Sequence, residues 1–288
     1  MAELAIPRPT WKRVLENRRV QWGGGFLFLL LLVAVFAPLL APRDPIEQDL
    51  MLQYLPPLWA EKGEAGYLFG TDSLGRDIFS RLIYGSRIAL FVAICAALAA
   101  CLLGTTLGLL AGYLGGWVDA VISRLVEIWM AFPAVLLSIV LVAVMGTGLH
   151  SVVIAIAVID WTRFCRVIRA ETMAQSTQDY VASALTIGLS WRRILIREIL
   201  PNVMPLLIVL LTLEMGIAII VEAILSYVGL SLSSELPTWG GMIADGRKYV
   251  NQVPWLMVLP IVMVIASVLA LNALGDGLKN TIDPVMRK

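Results

Sequence analysis

Apolar residues in this chain come in long unbroken runs separated by short polar stretches. The first run, residues 23–41 (GGGFLFLLLLVAVFAPLLA), contains no charged side chain. A helix needs about 20 such residues to cross the hydrocarbon core of a bilayer. Further runs predict spans over residues 88–112, 125–145, 150–164, 204–228 and 255–274. The expected fold class is all-α, a polytopic membrane helix bundle with six transmembrane helices. The first run is longer than a signal-peptide core and no A-x-A pattern closes it. It therefore reads as a retained span.

The polar stretches set the organisation. Residues 1–22 form a polar tail, 23–42 the first transmembrane helix, and 43–87 a loop. Residues 88–277 form a core with five transmembrane helices, and 278–288 a second tail. The loop carries Asp44, Glu47, Asp49, Glu61, Glu64, Asp72 and Asp77, with four prolines. Its end, residues 80–90, has the pattern of an amphipathic surface helix. Within the second span Ala96, Ala100, Gly104, Gly108 and Gly112 recur every fourth position. That spacing puts small side chains on one helix face, where another helix can approach closely. Pro133 sits inside the third span and predicts a kink there.

Composition agrees: 59% of the residues are hydrophobic and 15% charged. Soluble domains average about 45–50% and about 25%. The net charge of +1 gives no basic signal for nucleic acid. Even-numbered spans put both termini on one side. Fifteen of the 22 Lys and Arg then fall on that side, which predicts cytoplasmic termini. The single histidine, His150, and the cysteines Cys95, Cys101 and Cys165 suggest neither a metal site nor a disulfide framework. Cys95 and Cys101 are separated by roughly 9 Å of helical rise, too far for a disulfide.

The most informative segment is residues 171–202, between spans four and five, far longer than an ordinary connection between helices. Residues 180–187 read as a helix rich in small side chains. Gly188 breaks it, residues 191–200 read as a second, amphipathic helix, and Pro201 closes that. Two readings are open. The pair rests on lipid headgroups, or it docks a partner, with Ala182, Ser183, Ala184 and Gly188 permitting close approach.

This segment resembles the "EAA" loop of binding-protein-dependent ABC importer permeases. Ala182-Ser183-Ala184, Gly188 and Leu200-Pro201 stand at the family spacing. Other stretches look like the C-subunit type of dipeptide and oligopeptide permeases. They are Gly70-Thr71-Asp72-Ser73-Leu74-Gly75-Arg76-Asp77 with Ser80-Arg81-Leu82, then Ala111-Gly112-Tyr113 with Asp119, and Ala131-Phe132-Pro133. Leu225–Leu230, Pro237–Gly240, Gly275–Leu278 and Asp283-Pro284 follow in family order. The resemblance implies an ABC type I importer permease for di- or oligopeptides in a bacterial inner membrane. Nickel, glutathione or another small solute are the alternatives within the class. It implies a second permease subunit, two cytoplasmic ATPase subunits and an extracytoplasmic substrate-binding protein as partners. One departure matters: the family's glutamate position is Ala182, so its carboxylate contact to the ATPase is not carried over. Docking is expected from Tyr180, Ala182, Ser183, Ala184, Gly188, Arg192, Arg193, Leu200 and Pro201.

No G-x-x-x-x-G-K-[ST] occurs, so the chain lacks a P-loop for ATP. No HExxH, CxxC or G-x-S-x-G occurs either. The chain is expected to be no enzyme and to hold no cofactor, with ATP and Mg in the partner ATPases. A stand-alone channel or ion-coupled carrier is the competing class. Acids inside spans are expensive and mark pathways. Asp160, Glu214, Phe132 and Pro133 are therefore candidates for a path or gate, against pairing of Asp160 with Arg163 or Arg166. Thr71, Asp72, Arg76, Asp77 and Trp239 are candidates for contact with the binding protein, against a purely structural role in the loop.

Overall fold

The computed structural model describes residues 14–231 and 236–282. The charges at Arg8, Lys12, Arg13, Arg287 and Lys288, and the Asp283-Pro284 pair, lie outside them. The described residues form α-helices and connecting loops with no strand, only an isolated bridge between Thr71 and Asp77. In order, α1 spans Arg18–Val35, α2 Ala37–Leu40, α3 Ile78–Leu114, α4 Gly116–Met130, α5 Ala134–Met145, α6 Leu149–Ser176 and α7 Asp179–Thr186. A continuous helix α8 follows over Trp191–Tyr227, then α9 Trp239–Arg247 and α10 Trp255–Ile282.

Four helices, α1, α3, α8 and α10, are long and apolar enough to cross a membrane alone. Helices α4 and α5 pass the same test only together, as a broken span or a re-entrant loop, and meet at 88° across Ala131-Phe132-Pro133. Pro133 has no N–H to donate, and its ring excludes the preceding residue from helical geometry. The kink expected at Pro133 is thus a full corner, and residues 125–130 of the expected third span belong to α4 on its far side. Helix α6, which contains the expected fourth span, carries Asp160, Arg163, Arg166 and Arg169. Those charges keep it from qualifying on apolarity.

Element ends differ from expectation for local reasons. The expected surface helix over residues 80–90 and the second span are one 37-residue helix, α3. Asp77 caps it, its carboxylate accepting from the Ser80 backbone N–H at 2.8 Å and the Ser80 hydroxyl at 2.6 Å. Such a cap satisfies donors that the first turn otherwise leaves open. Gly115, at φ 63°, ends it. Pro201 does not close a separate amphipathic helix, because α8 runs through it.

The small-residue face of α3 packs on α6, and the approach is close. A Cβ on Gly104 would lie 2.3 Å from the Trp161 carbonyl oxygen. One on Gly108 would lie 2.8 Å from the Cys165 oxygen, and one on Gly112 2.6 Å from the Arg169 oxygen. No larger residue fits against those backbones. Two buried apolar clusters flank this seam. One joins α3, α6, α8, α9 and α10 through residues such as Val92, Ile156, Ile219, Trp239 and Leu271. The other joins α6, α7 and α8 through Phe164, Ile168, Val181, Ala184, Ile194 and Ile199. Helix α1 packs on α10, where Gly23 faces the Ala270 backbone.

A Gly108→Leu substitution is expected to force α3 and α6 apart. Overpacking costs about 1–3 kcal/mol where a core can yield, and two helix backbones yield poorly. The solubilised protein should lose several degrees of thermal midpoint. The exposed Leu102→Ala on the same helix should leave the midpoint nearly unchanged.

Candidate functional site

At one end of the bundle, α7 and the first turns of α8 form a projecting helix–turn–helix. The turn has a defined geometry. The Gly188 N–H donates to the Leu185 oxygen at 3.0 Å, and the Leu189 N–H to the Ala184 oxygen at 3.1 Å. These are the paired bonds of a Schellman cap, with Gly188 at φ 81° in the left-handed position that glycine adopts without strain. Val181 and Ala184 face inward and anchor α7 to Phe164, Ile194 and Ile199. Ala182, Ser183, Gly188, Arg192, Arg193 and Pro201 are exposed, while Tyr180 and Leu200 are half-buried. The Tyr180 hydroxyl donates to Gln175 at 2.8 Å, and burial raises the Tyr180 pKa from its ordinary value. Leu185, Ile187 and Trp191 crown the turn as exposed apolar side chains, Ile187 at 78%. The sequence reading missed them; their position around a helix-breaking glycine was the available signal.

Behind this turn α8 contains a π-helical turn over Ile194–Ile199. The Leu200 N–H reaches back to the Leu195 oxygen. The wider turn lets the helix continue through Pro201, which has no N–H and would crowd an ordinary α-turn. Tying this end together, the Arg169 guanidinium on α6 makes a two-pronged pair with Asp119 on α4. Its Nε bonds Oδ1, and its terminal nitrogen donates to Oδ2 at 2.7 Å. Ser123 adds a bond to Asp119 at 3.1 Å. Asp119 belongs to a motif given in the sequence, but its pairing with Arg169 across fifty positions left no local trace there.

Midway along the bundle, Arg163 on α6 lies between two acids. It stands 3.9 Å from Asp160 and 3.5 Å from Glu214 on α8. The pairing of Asp160 with Arg163 was one expected reading; Glu214, lacking a partner on its own helix, takes its partner from α6. The Trp129 indole donates to the Val158 oxygen at 2.6 Å. That contact sets the α4–α5 corner, with Phe132 and Pro133, near the same level. Phe132 is exposed.

At the opposite end, the loop before α3 folds on itself. The Asp72 carboxylate accepts from the Leu74 and Arg76 backbone N–H groups and from the Arg76 side chain at 2.7 Å. Arg76 also lies 3.6 Å from Asp245 on α9. The Thr71 hydroxyl donates to the Leu52 oxygen and accepts from the Leu55 N–H. A Cβ on Gly75, at φ 74°, would fall 1.8 Å from the Asp49 oxygen. Tyr54 stacks on Tyr249, and burial first, that neighbour second, pushes its phenol up to about 12. The Trp239 indole donates to the Leu82 oxygen at 3.1 Å. Thr71, Asp72, Arg76, Asp77 and Trp239 are all buried. Their burial fits the structural role weighed against contact with a binding protein: apart from Asp77 Oδ1, their polar groups bond within the loop or to α3 and α9.

These features define a class: a polytopic membrane helix bundle with an ordered cap at one end and a helix–turn–helix at the other. The chain belongs to the family described as binding-protein-dependent transport system inner membrane component, whose match covers residues 104–288. Residues 8–57 match the N-terminal transmembrane domain of oligopeptide transport permease C. It is 39% identical to the di/tripeptide transport system permease protein DppC of Pseudomonas aeruginosa, over 99% of this chain and 95% of that protein. It is 34% identical to the oligopeptide permease protein OppC of Bacillus subtilis, over 99% and 92%. It is 38% identical to the glutathione permease protein GsiD of Escherichia coli, over 96% and 90%. Its fold resembles a chain of the inward-facing MetNI methionine ABC transporter, with a TM-score of 0.58 at 16% identity. That likeness covers 68% of this chain and 93% of the other. It supports the type I ABC permease architecture expected from the sequence.

Replacing Arg76 by Ala removes the closer of two buried guanidinium partners of Asp72, at 2.7 Å, and leaves only Arg81 at 3.6 Å. Breaking such a pair costs about 3–5 kcal/mol. The expected outcome is a marked drop in thermal midpoint. Loss of affinity for a binding protein without loss of stability would return Arg76 to the contact surface.

Proposed function

We propose that this chain is one permease of a heterodimeric, ATP-driven importer of di- and oligopeptides. In this reading the termini and the α7 turn are cytoplasmic, and the loop before α3 is extracytoplasmic. Two ATPase subunits, carrying ATP and Mg, dock at the α7 turns of the two permeases. A binding protein delivers peptide on the other side. The relatives named for dipeptides and oligopeptides support the substrate class, and GsiD keeps glutathione, itself a small peptide, as the second reading.

The observation that carries the coupling assignment is the α7–Gly188 turn. Its outer face combines small side chains, Ala182, Ser183 and Gly188, with the exposed apolar Leu185, Ile187 and Trp191. A lipid-resting helix pair would need a broad apolar face. Here the buried face of α7 is already spent on the bundle. A compact apolar tip on a rigid cap suits a cleft in another protein. Closure of the ATPase pair upon ATP binding would move this tip, and α8 would carry the movement into the membrane. Ala182 offers no carboxylate, so attachment rests on shape and apolar contact, with Arg192 and Arg193 beside it.

Among the described residues, its two chain neighbours apart, nothing lies within 4 Å of a Cβ placed on Gly188. Only its φ requires glycine internally, and asparagine tolerates that conformation best among the others. In the reconstituted importer, Gly188→Asn should therefore retain ATP-coupled peptide uptake. Gly188→Trp should fold and assemble its membrane part but lose most uptake per ATP hydrolysed. Normal coupling in Gly188→Trp would remove the assignment. Vesicles containing this chain alone should show no uptake under an ion gradient, which separates the importer from a stand-alone carrier.

A further inference from the structure

The charged cluster inside the bundle has an imbalance that the preceding reading does not use. Asp160 and Glu214 bring two carboxylates, and Arg163 brings one guanidinium. Both acids are about 95% buried, each at 5% exposure. Glu214 Oε1 faces Arg163 at 3.5 Å. Glu214 Oε2 is fully buried and has no hydrogen-bond partner. An unused buried acceptor costs about 1–3 kcal/mol, more when charged. One carboxylate of the pair thus lacks a full counter-charge.

Depth makes this costly. The α6 start is tied to the loop after α8 by a bond from the Gly148 N–H to the Ser231 oxygen at 2.8 Å. Asp160 lies twelve residues from Gly148, about 18 Å along the helix. Glu214 lies thirteen residues from Tyr227, about 20 Å. Counted from that end, both lie past the middle of a hydrocarbon core about 30 Å thick. Acids at such depth mark the route of a solute or a relay. Arg163 forms the outer side of the cluster, its side chain 39% exposed.

We propose that Asp160, Arg163 and Glu214 form a mid-membrane site for the primary ammonium group of the solute, the α-amino group when the solute is a peptide. The identity of the solute rests on the peptide reading above; the site itself does not. An ammonium supplies one positive charge and three donors, which matches the residual charge and the free Oε2 acceptor. A divalent metal fits poorly, because the guanidinium repels it and no group of three or more potential ligands occurs among the described residues. Arg163 holds the two carboxylates together and keeps the site weak enough to release its occupant. The neighbouring charges are Arg166 one turn along α6 and the Arg124–Glu127 pair on α4, all exposed.

The test uses the complete importer in vesicles, with a free-amine dipeptide and its N-acetylated form, each at a concentration that saturates the binding protein. Glu214→Gln keeps size and removes charge. It should lower import of the free-amine peptide about tenfold, as expected for one charge-assisted hydrogen bond, and change the N-acetylated peptide less than twofold. Equal loss for both peptides, or loss of subunit assembly, would overturn the ammonium site in favour of structural pairing. A second measurement needs neither a variant nor the binding protein. In the wild-type complex, a carbodiimide with glycine methyl ester should join the ester's amine to Glu214 as an amide detectable by mass spectrometry. Excess free-amine dipeptide should block the labelling, and N-acetyl dipeptide should not. Absence of labelling, or equal blocking by both, overturns the site. Failure of the wild-type importer to move any peptide overturns the peptide reading instead, and the labelling result then stands alone on the ammonium site.

Discussion

The contact on which the rest depends is backbone against backbone, α3 on α6 through Gly104, Gly108 and Gly112. Lipid tails are as apolar as leucine, so helices in a membrane associate through tight packing and polar contacts. The glycine seam supplies the packing. By setting α6 in place, it also sets what α6 carries. Phe164 and Ile168 receive α7 and the start of α8. Arg169 receives Asp119, and Arg163 reaches Glu214. The Gly188 turn, the α4–α5 corner and the charged cluster are all positioned from one helix held by three absent side chains.

Features written locally in the chain were legible before the fold was known. The apolar runs located helices, the four-residue spacing located a packing face, and Gly188 located a turn whose Schellman bonds are present. What stayed hidden depends on distant partners. The sequence could not say that α6 is the helix opposite the glycines, nor that Asp119 and Arg169 meet. Thr71, Asp72, Arg76, Asp77 and Trp239 read equally as recognition residues or as loop structure, because they are polar or aromatic within solvent-side loops. Their partners, Leu52, Leu55, Ser80, Asp245 and Leu82, are what bury them. Pro201 looked like a helix end because proline usually is one; only a wider turn before it, invisible in composition, allows the helix to proceed.

The two ends of the molecule differ in kind. The loop before α3 spends its polar groups internally and is held to α9 and to the segment after it by Arg76 and Tyr54. The α7 end spends its apolar residues on both sides of a thin helix, half toward the bundle and half toward the outside. One end is finished by its own contacts, while the other awaits a surface.

The π turn at Ile194–Ile199 has a geometrical consequence for the length of α8. Each residue advances an α-helix by about 100°, with 3.6 residues per turn, and a π turn amounts to one extra residue. It therefore sets the angular phase between Arg192 and Arg193 at the projecting end and Glu214 deep in the bundle. With no break in α8 to absorb a change, inserting or deleting a single residue between them would swing the carboxylate about 100° away from Arg163. The number of residues in this stretch is thus as tightly constrained as their identity, in the way that a gear train is constrained by its count of teeth.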